Sequence, residues 1–174
     1  MKIALFTPQL APELTHHLLR DAGHDVRFIN AVTTADITTE LGRDVPGALL
    51  IGHSGSTSAH PVVLEVCAAV RAQWPNITIV HGGDYPRLHW EKILREAPQI
   101  DIALRCQCNT AILTLMAALA ARRPLARVPG IAFRWAAEPF ATAPCPGERN
   151  REWFRHVRTR PLTGWPAAGR TAHP

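Results

Sequence analysis

No stretch of this chain approaches the ~18 uninterrupted apolar residues that a membrane helix needs, so no membrane partner is expected. The N-terminal run MKIALFTPQLAPEL is apolar only from Ile3 to Phe6 and carries a single lysine ahead of it. That is too short for an export signal and reads as a first strand, which makes a cytoplasmic protein the expectation. Cysteine is scarce: Cys67, Cys106, Cys108 and Cys145 form no even framework, and no disulfides are expected from their spacing. Asn76-Ile77-Thr78 fits a glycosylation sequon, which reads as chance in a chain expected to be cytoplasmic. No Gly-Lys-Ser/Thr phosphate loop is present, and the first strand runs into Thr7-Pro8 with no G-x-G-x-x-G. There is no G-x-S-x-G elbow either, so Ser54 or Ser56 beside a histidine does not make a hydrolase.

What is present suits one domain and a tail. The chain has 174 residues, 47% of them apolar and 19% charged, as in an ordinary soluble globular protein. The net charge of +5 is uneven: from Pro144 onward it is +4, carried by six arginines against Glu148 and Glu152, and the rest of the chain is +1. Residues 136–174 therefore read as a basic Pro/Arg-rich tail or linker. They lack an aromatic–basic platform, so nucleic acid is not the expected partner.

Apolar runs alternate with helical patterns along the remainder. Strands are expected at Lys2–Thr7, Asp25–Ile29, Gly47–Ile51, Ile77–Val80 and Ile100–Leu104, with Ile131–Trp135 closing the sheet or opening a hairpin. Helices are expected at Pro12–Ala22, Thr34–Arg43, His60–Gln73, His89–Ala97 and Asn109–Arg122. Cys67 lies on the apolar stripe of the third helix and reads as core. Beyond Ala136 the periodicity ends. The alternation predicts an α/β fold, a doubly wound and mostly parallel five-stranded open sheet with an extra closing strand or hairpin. Ligands of such sheets bind outside the C-terminal strand ends. The candidate site is therefore the set of loops after the strands.

Those loops carry the polar and small residues. Gly52-His-Ser-Gly-Ser-Thr-Ser-Ala59 offers close backbone approach and several hydroxyls. His81-Gly82-Gly83-Asp84-Tyr85-Pro86 follows the fourth strand, and its paired glycines leave room for something flat or bulky. His53 and His81, on adjacent strand ends, are a candidate metal pair with no third ligand identified. Cys106-Gln-Cys108 is a lone C-x-C that reads as small residues in a tight loop, with Cys145 remote in the tail.

Taken together, these segments resemble the cobalamin-binding domain that precedes the catalytic domain in radical S-adenosylmethionine (SAM) enzymes, above all the anaerobic magnesium-protoporphyrin monomethyl ester cyclase type. Four segments carry the likeness in order: Ala22–Ala31, Ile79–Pro86, Ile93–Arg105 and Val128–Phe133, within residues 1–135. The resemblance implies a flavodoxin/Rossmann-like domain over residues 1–135 that holds cobalamin (vitamin B12) over the strand ends, with its nucleotide tail in the crevice. Carried over by position, the cofactor-binding residues would be Thr7, Pro8, His53, Ser54, Gly55, Ser56, Thr57, Gly82, Gly83, Asp84, Arg105, Cys106, Gln107, Cys108 and Asn109. No catalytic residue and no metal ligand is assigned.

No D-x-H-x-x-G follows the first strand, which fits the radical SAM group rather than the methionine synthase or mutase group and implies that bound cobalamin is base-off without a histidine ligand. Where the family has Gly-Glu-Gly-Glu, this chain has Cys106-Gln107-Cys108-Asn109. It also lacks the C-x-x-x-C-x-x-C that holds an iron–sulfur cluster, so no such cluster and no SAM cleavage are expected of this chain alone. It reads as a stand-alone or truncated domain that carries or senses the cofactor or acts with a separate radical SAM chain. Two rivals stand beside this reading. One is a degenerate domain that serves protein contacts, its crevice filled by Cys106 and Gln107. The other is a small metal-dependent enzyme using His53 and His81.

Overall fold

Five strand–helix units follow one another and a hairpin closes the sheet. A computed structural model describes residues 1–6, 13–29, 33–53, 59–106 and 109–145. The strands are β1 (Lys2–Phe6), β2 (Asp25–Phe28), β3 (Ala48–His53), β4 (Thr78–Gly83), β5 (Ile102–Leu104), β6 (Ile131–Trp135) and β7 (Glu138–Ala141). The helices are α1 (Glu13–Asp21), α2 (Thr34–Arg43), α3 (His60–Gln73), α4 (Asp84–Glu96) and α5 (Asn109–Ala120). The sheet order is β2-β1-β3-β4-β5-β6-β7, parallel through β5 and antiparallel for β6 and β7.

Local chemistry accounts for the helix ends. Gly23, at φ +81°, stops α1, with the amides of Gly23 and His24 bonded back to the carbonyls of Arg20 and Leu19. Thr33 caps α2, its Oγ1 accepting from the Asp36 amide at 3.1 Å. Pro61 sits in the first turn of α3, where no amide donor is needed.

Strand residues alternate between two cores. Ala4, Phe6, Leu49, Ile51 and Ile79 pack with Ile37, Val63, Val70 and Ile93 of α2, α3 and α4. Ile3, Leu5, Leu50, Val80 and Ile102 pack with Leu19 of α1 and with Leu115 and Met116 of α5. Burial on both faces explains why β3 is apolar at successive positions.

Two arginines tie the layers together. Arg71 of α3 donates to the carbonyls of Pro75, Ile77 and Gln99 and to Asp101 Oδ2 at 2.5 Å, and the same oxygen accepts from the Ile79 amide. Arg134 of β6 donates to the carbonyls of Leu94, Ala97, Pro98 and Ile100, covering the C-terminal end of α4.

Three features refine the expected elements. His81 to Gly83 are not a loop but the last residues of β4, paired with Ile51, Gly52 and His53. Gly83 (φ 109°, ψ −171°) then turns the chain directly into α4. The helical path already begins at Asp84, because Pro86 falls in its first turn, where a missing amide costs no hydrogen bond, and it kinks at His89 (φ −118°, ψ 19°), where the expected helix starts. The closing element is a hairpin, one of the two expected forms, and it carries the sheet past residue 135. Ala136 and Ala137, at φ 50° and 69°, make a two-residue turn, and β7 returns along β6.

Candidate functional site

The strand order reverses between β1 and β3. β2 lies on one side of β1, and every later strand lies on the other. An open α/β sheet forms its ligand crevice at such a point, outside the C-terminal strand ends. That rule puts the expected crevice beyond Phe6 and His53, the last residues of β1 and β3. Thr7, Pro8, Ser54, Gly55, Ser56 and Thr57 lie outside the described residues, as do Gln107 and Cys108. His53 is placed by its backbone as the last residue of β3, opposite Gly83, and Asn109 as the first residue of α5.

The remaining sequence-predicted residues have defined surroundings. Gly82 is buried, and a Cβ there would lie 2.9 Å from Leu104 Cδ1. Gly83 holds a backbone conformation that favours glycine. Asp84 forms an ion pair with Arg87 at 3.0 Å on the first turn of α4. Arg105 is buried, donating from Nη1 to the Thr142 carbonyl at 2.8 Å, with its guanidinium 5.1 Å from the Trp90 ring centroid.

Cys106 is also buried, and its Sγ lies 2.7 Å from Cys145 Sγ. Cys145 is thus not remote: the β6–β7 hairpin carries it back to the end of β5. The Thr142 amide bonds to the Ile131 carbonyl, and the Gly130 amide bonds to the Ala143 carbonyl at 2.7 Å.

A run of rings that sequence reasoning missed lies where the N-terminal ends of α3 and α4 meet β4. His81 is fully buried and stacks parallel to His60 at 5.9 Å. His60 packs on Tyr85 at 4.3 Å, and Tyr85 on His89 at 4.6 Å. Tyr85 and His89 are four apart in sequence, and His89 stands at the kink of α4 (φ −118°, ψ 19°). The metal pair proposed from sequence finds His81 in this ring stack, and no group of three or more His, Cys, Asp or Glu among the described residues could hold a metal ion. No helix among the described residues is long and apolar enough to cross a membrane.

Known proteins match the same region. Residues 2–115 match the B12 binding domain family. The chain is 40% identical over 141 residues to the anaerobic magnesium-protoporphyrin IX monomethyl ester cyclase of Synechocystis sp., a match that covers 79% of this chain and 28% of that protein. Among solved structures, the radical SAM methyltransferase TsrM from Kitasatospora setae, with cobalamin and a [4Fe-4S] cluster bound, superimposes with a TM-score of 0.73 at 13% identity. That match covers 83% of this chain and 29% of TsrM. The cobalamin-dependent SAM radical enzyme OxsB, with aqua-cobalamin and SAM bound, gives 0.70 at 16% identity, covering 83% of this chain and 22% of OxsB. The chain spans under a third of each of these proteins. With its order reversal between β1 and β3 and its match running from β1 into α5, it belongs to the B12 binding domain family.

Proposed function

We propose that this chain holds cobalamin over the C-terminal edge of its sheet, base-off and without a histidine ligand, and works with a radical SAM catalytic unit. The observation that carries this reading is the β1/β3 reversal inside the segment that matches the B12 binding domain family. At the described residues the fit rests on backbone: β4 ends in Gly83, which passes into α4 without a loop, while the side-chain space of the buried Gly82 is taken by Leu104. Arg105 and Cys106 are engaged with Thr142 and Cys145 on the hairpin side, which argues against a crevice filled by Cys106.

In this reading Thr7, Pro8 and the segment His53 to Thr57 flank the corrin and the nucleotide tail at the switch point. Gly82, Gly83 and Asp84 border it at β4, and Arg105 to Asn109 border it at β5. When bound, cobalamin supplies a cobalt centre able to carry a methyl group. The residues of this chain bind it and exclude other axial bases. His81 is held among His60 and the α3–α4 ends, which supports a cobalt centre free of histidine. The catalytic unit is either a separate chain or the remainder of a longer protein, consistent with this chain matching 28% of its cyclase relative.

Hydroxocobalamin mixed with the purified protein should survive desalting at micromolar concentration, seen in the visible spectrum. After reduction to cob(II)alamin, the electron paramagnetic resonance lines should lack the triplet splitting that a coordinated nitrogen produces. His53→Ala should leave that spectrum unchanged. Loss of all corrinoid on desalting would overturn the binding reading, and a nitrogen triplet abolished by His53→Ala would overturn the axial assignment.

A further inference from the structure

We infer that Cys106 and Cys145 form a disulfide modification site that locks the chain after β7 onto the end of β5. Their Sγ atoms lie 2.7 Å apart, closer than two non-bonded sulfurs ordinarily approach, and both residues are buried. The surroundings are built for the pair. Gly130, at φ +78°, faces both sulfurs, and a Cβ there would lie 2.3 Å from Cys145 Sγ and 2.6 Å from Cys106 Sγ. Ala111 completes this small cluster. Each sulfur also has a carbonyl at 3.8 Å, Gly130 for Cys106 and Pro129 for Cys145.

The backbone fixes the two partners from both sides. The Arg105 amide donates to the Gly130 carbonyl at 2.8 Å, and the Gly130 amide donates to the Ala143 carbonyl. Cys106 and Cys145 are therefore each held close to Gly130, and bond formation needs a sub-ångström movement of sulfur rather than a refolding of chain. The sequence separation is long, so the closed link removes much freedom from the unfolded chain.

The oxidant is a peroxide. One thiolate attacks a peroxide oxygen and becomes a sulfenic acid, releasing water or an alcohol. The second thiol then attacks that sulfur, forms the S–S bond and releases water. Two electrons pass from the thiols to the peroxide, and a dithiol returns the pair to its reduced state.

The test uses the full chain, without cobalamin, treated with hydrogen peroxide or with dithiothreitol. It is then alkylated under denaturing conditions and digested with trypsin. The expected product joins the peptide Cys106–Arg122 to Trp135–Arg149, two mass units below the sum of the free peptides, and disappears with dithiothreitol. The link should survive Cys108→Ser and vanish in Cys106→Ser. The oxidised chain should melt about 5 °C or more above the reduced one. A link that depends on Cys108, a Cys106–Cys108 loop, or sulfinic acid without any link would each overturn the assignment. None of these readouts depends on corrinoid binding, so the test stands or falls apart from the proposed function.

Discussion

Leu104 Cδ1 occupies the space that a side chain at Gly82 would need, lying 2.9 Å from where its Cβ would be. The contact joins β4 and β5 on the face covered by α1 and α5, and Leu50 of β3 lies just beyond at 3.7 Å. A glycine that reads in the sequence as room for a ligand thus also has a packing reason. Gly82→Ala should destabilise the fold by about 1–3 kcal/mol through overpacking. Urea denaturation of Gly82→Ala, Leu104→Ala and the double variant measures this directly. The double variant should be more stable than the sum of the two single losses predicts. Strict additivity would mean that the two residues do not compete for space.

The turn between β6 and β7 places Ala136 and Ala137 at positive φ, a conformation that costs non-glycine residues on the order of 1 kcal/mol each. Replacing the pair by Asn-Gly should raise stability by about 1–2 kcal/mol without changing the pairing of Trp135 with Glu138. The check is a higher urea midpoint at unchanged m-value.

Arg134 satisfies four carbonyls at the end of α4 and the entry to β5. Burial pushes its guanidinium pKa below the usual value, a cost that these acceptors offset. Arg134→Met should cost about 2–4 kcal/mol, and Arg134→Lys should recover only part, since an ammonium cannot span the same acceptors. Denaturant midpoints of the two variants give the comparison, and equal losses would mean that the fork geometry contributes nothing.

Cys67 is fully buried in the α2–α3–α4 core, and burial pushes its thiol up to about 12. The folded state then keeps a proton that the unfolded state loses near pH 9, so stability falls as pH rises from about 9 towards 12, with a limiting slope of ~1.4 kcal/mol per pH unit. Cys67→Ala should show a shallower decline over that window in urea unfolding at stepped pH. Iodoacetamide should label Cys67 only in denaturant.

Much of this architecture was legible because its causes are local. α2 and α3 begin and end where Thr33, Pro61 and the 3.6-residue spacing of Ile37, Leu41, Val63 and Val70 place them. β1, β3 and β5 stand out as short apolar runs, and the four segments resembling the cyclase family lie in the same order as the elements they build. The start of α4 was hidden because Gly83, Asp84 and Pro86 have the composition of a turn, though Pro86 is harmless in a first helical turn. A hairpin after Trp135 was one of the two expected closures, but its returning strand could not be placed because Ala136-Ala137 lacks the Asn-Gly chemistry by which such turns are recognised.

The sequence by itself determined the alternating strands and helices, the two buried faces of the sheet and the likeness to a cobalamin domain, since these rest on neighbours in the chain and on motif order. Only the tertiary structure decided that Gly82 packs against Leu104, that His81 joins a stack with His60, Tyr85 and His89, and that Cys145 returns to Cys106. Each of these depends on strand register and on the path of a hairpin. Register is set by the summed pairing and burial of whole strands, and no short window of sequence contains that sum.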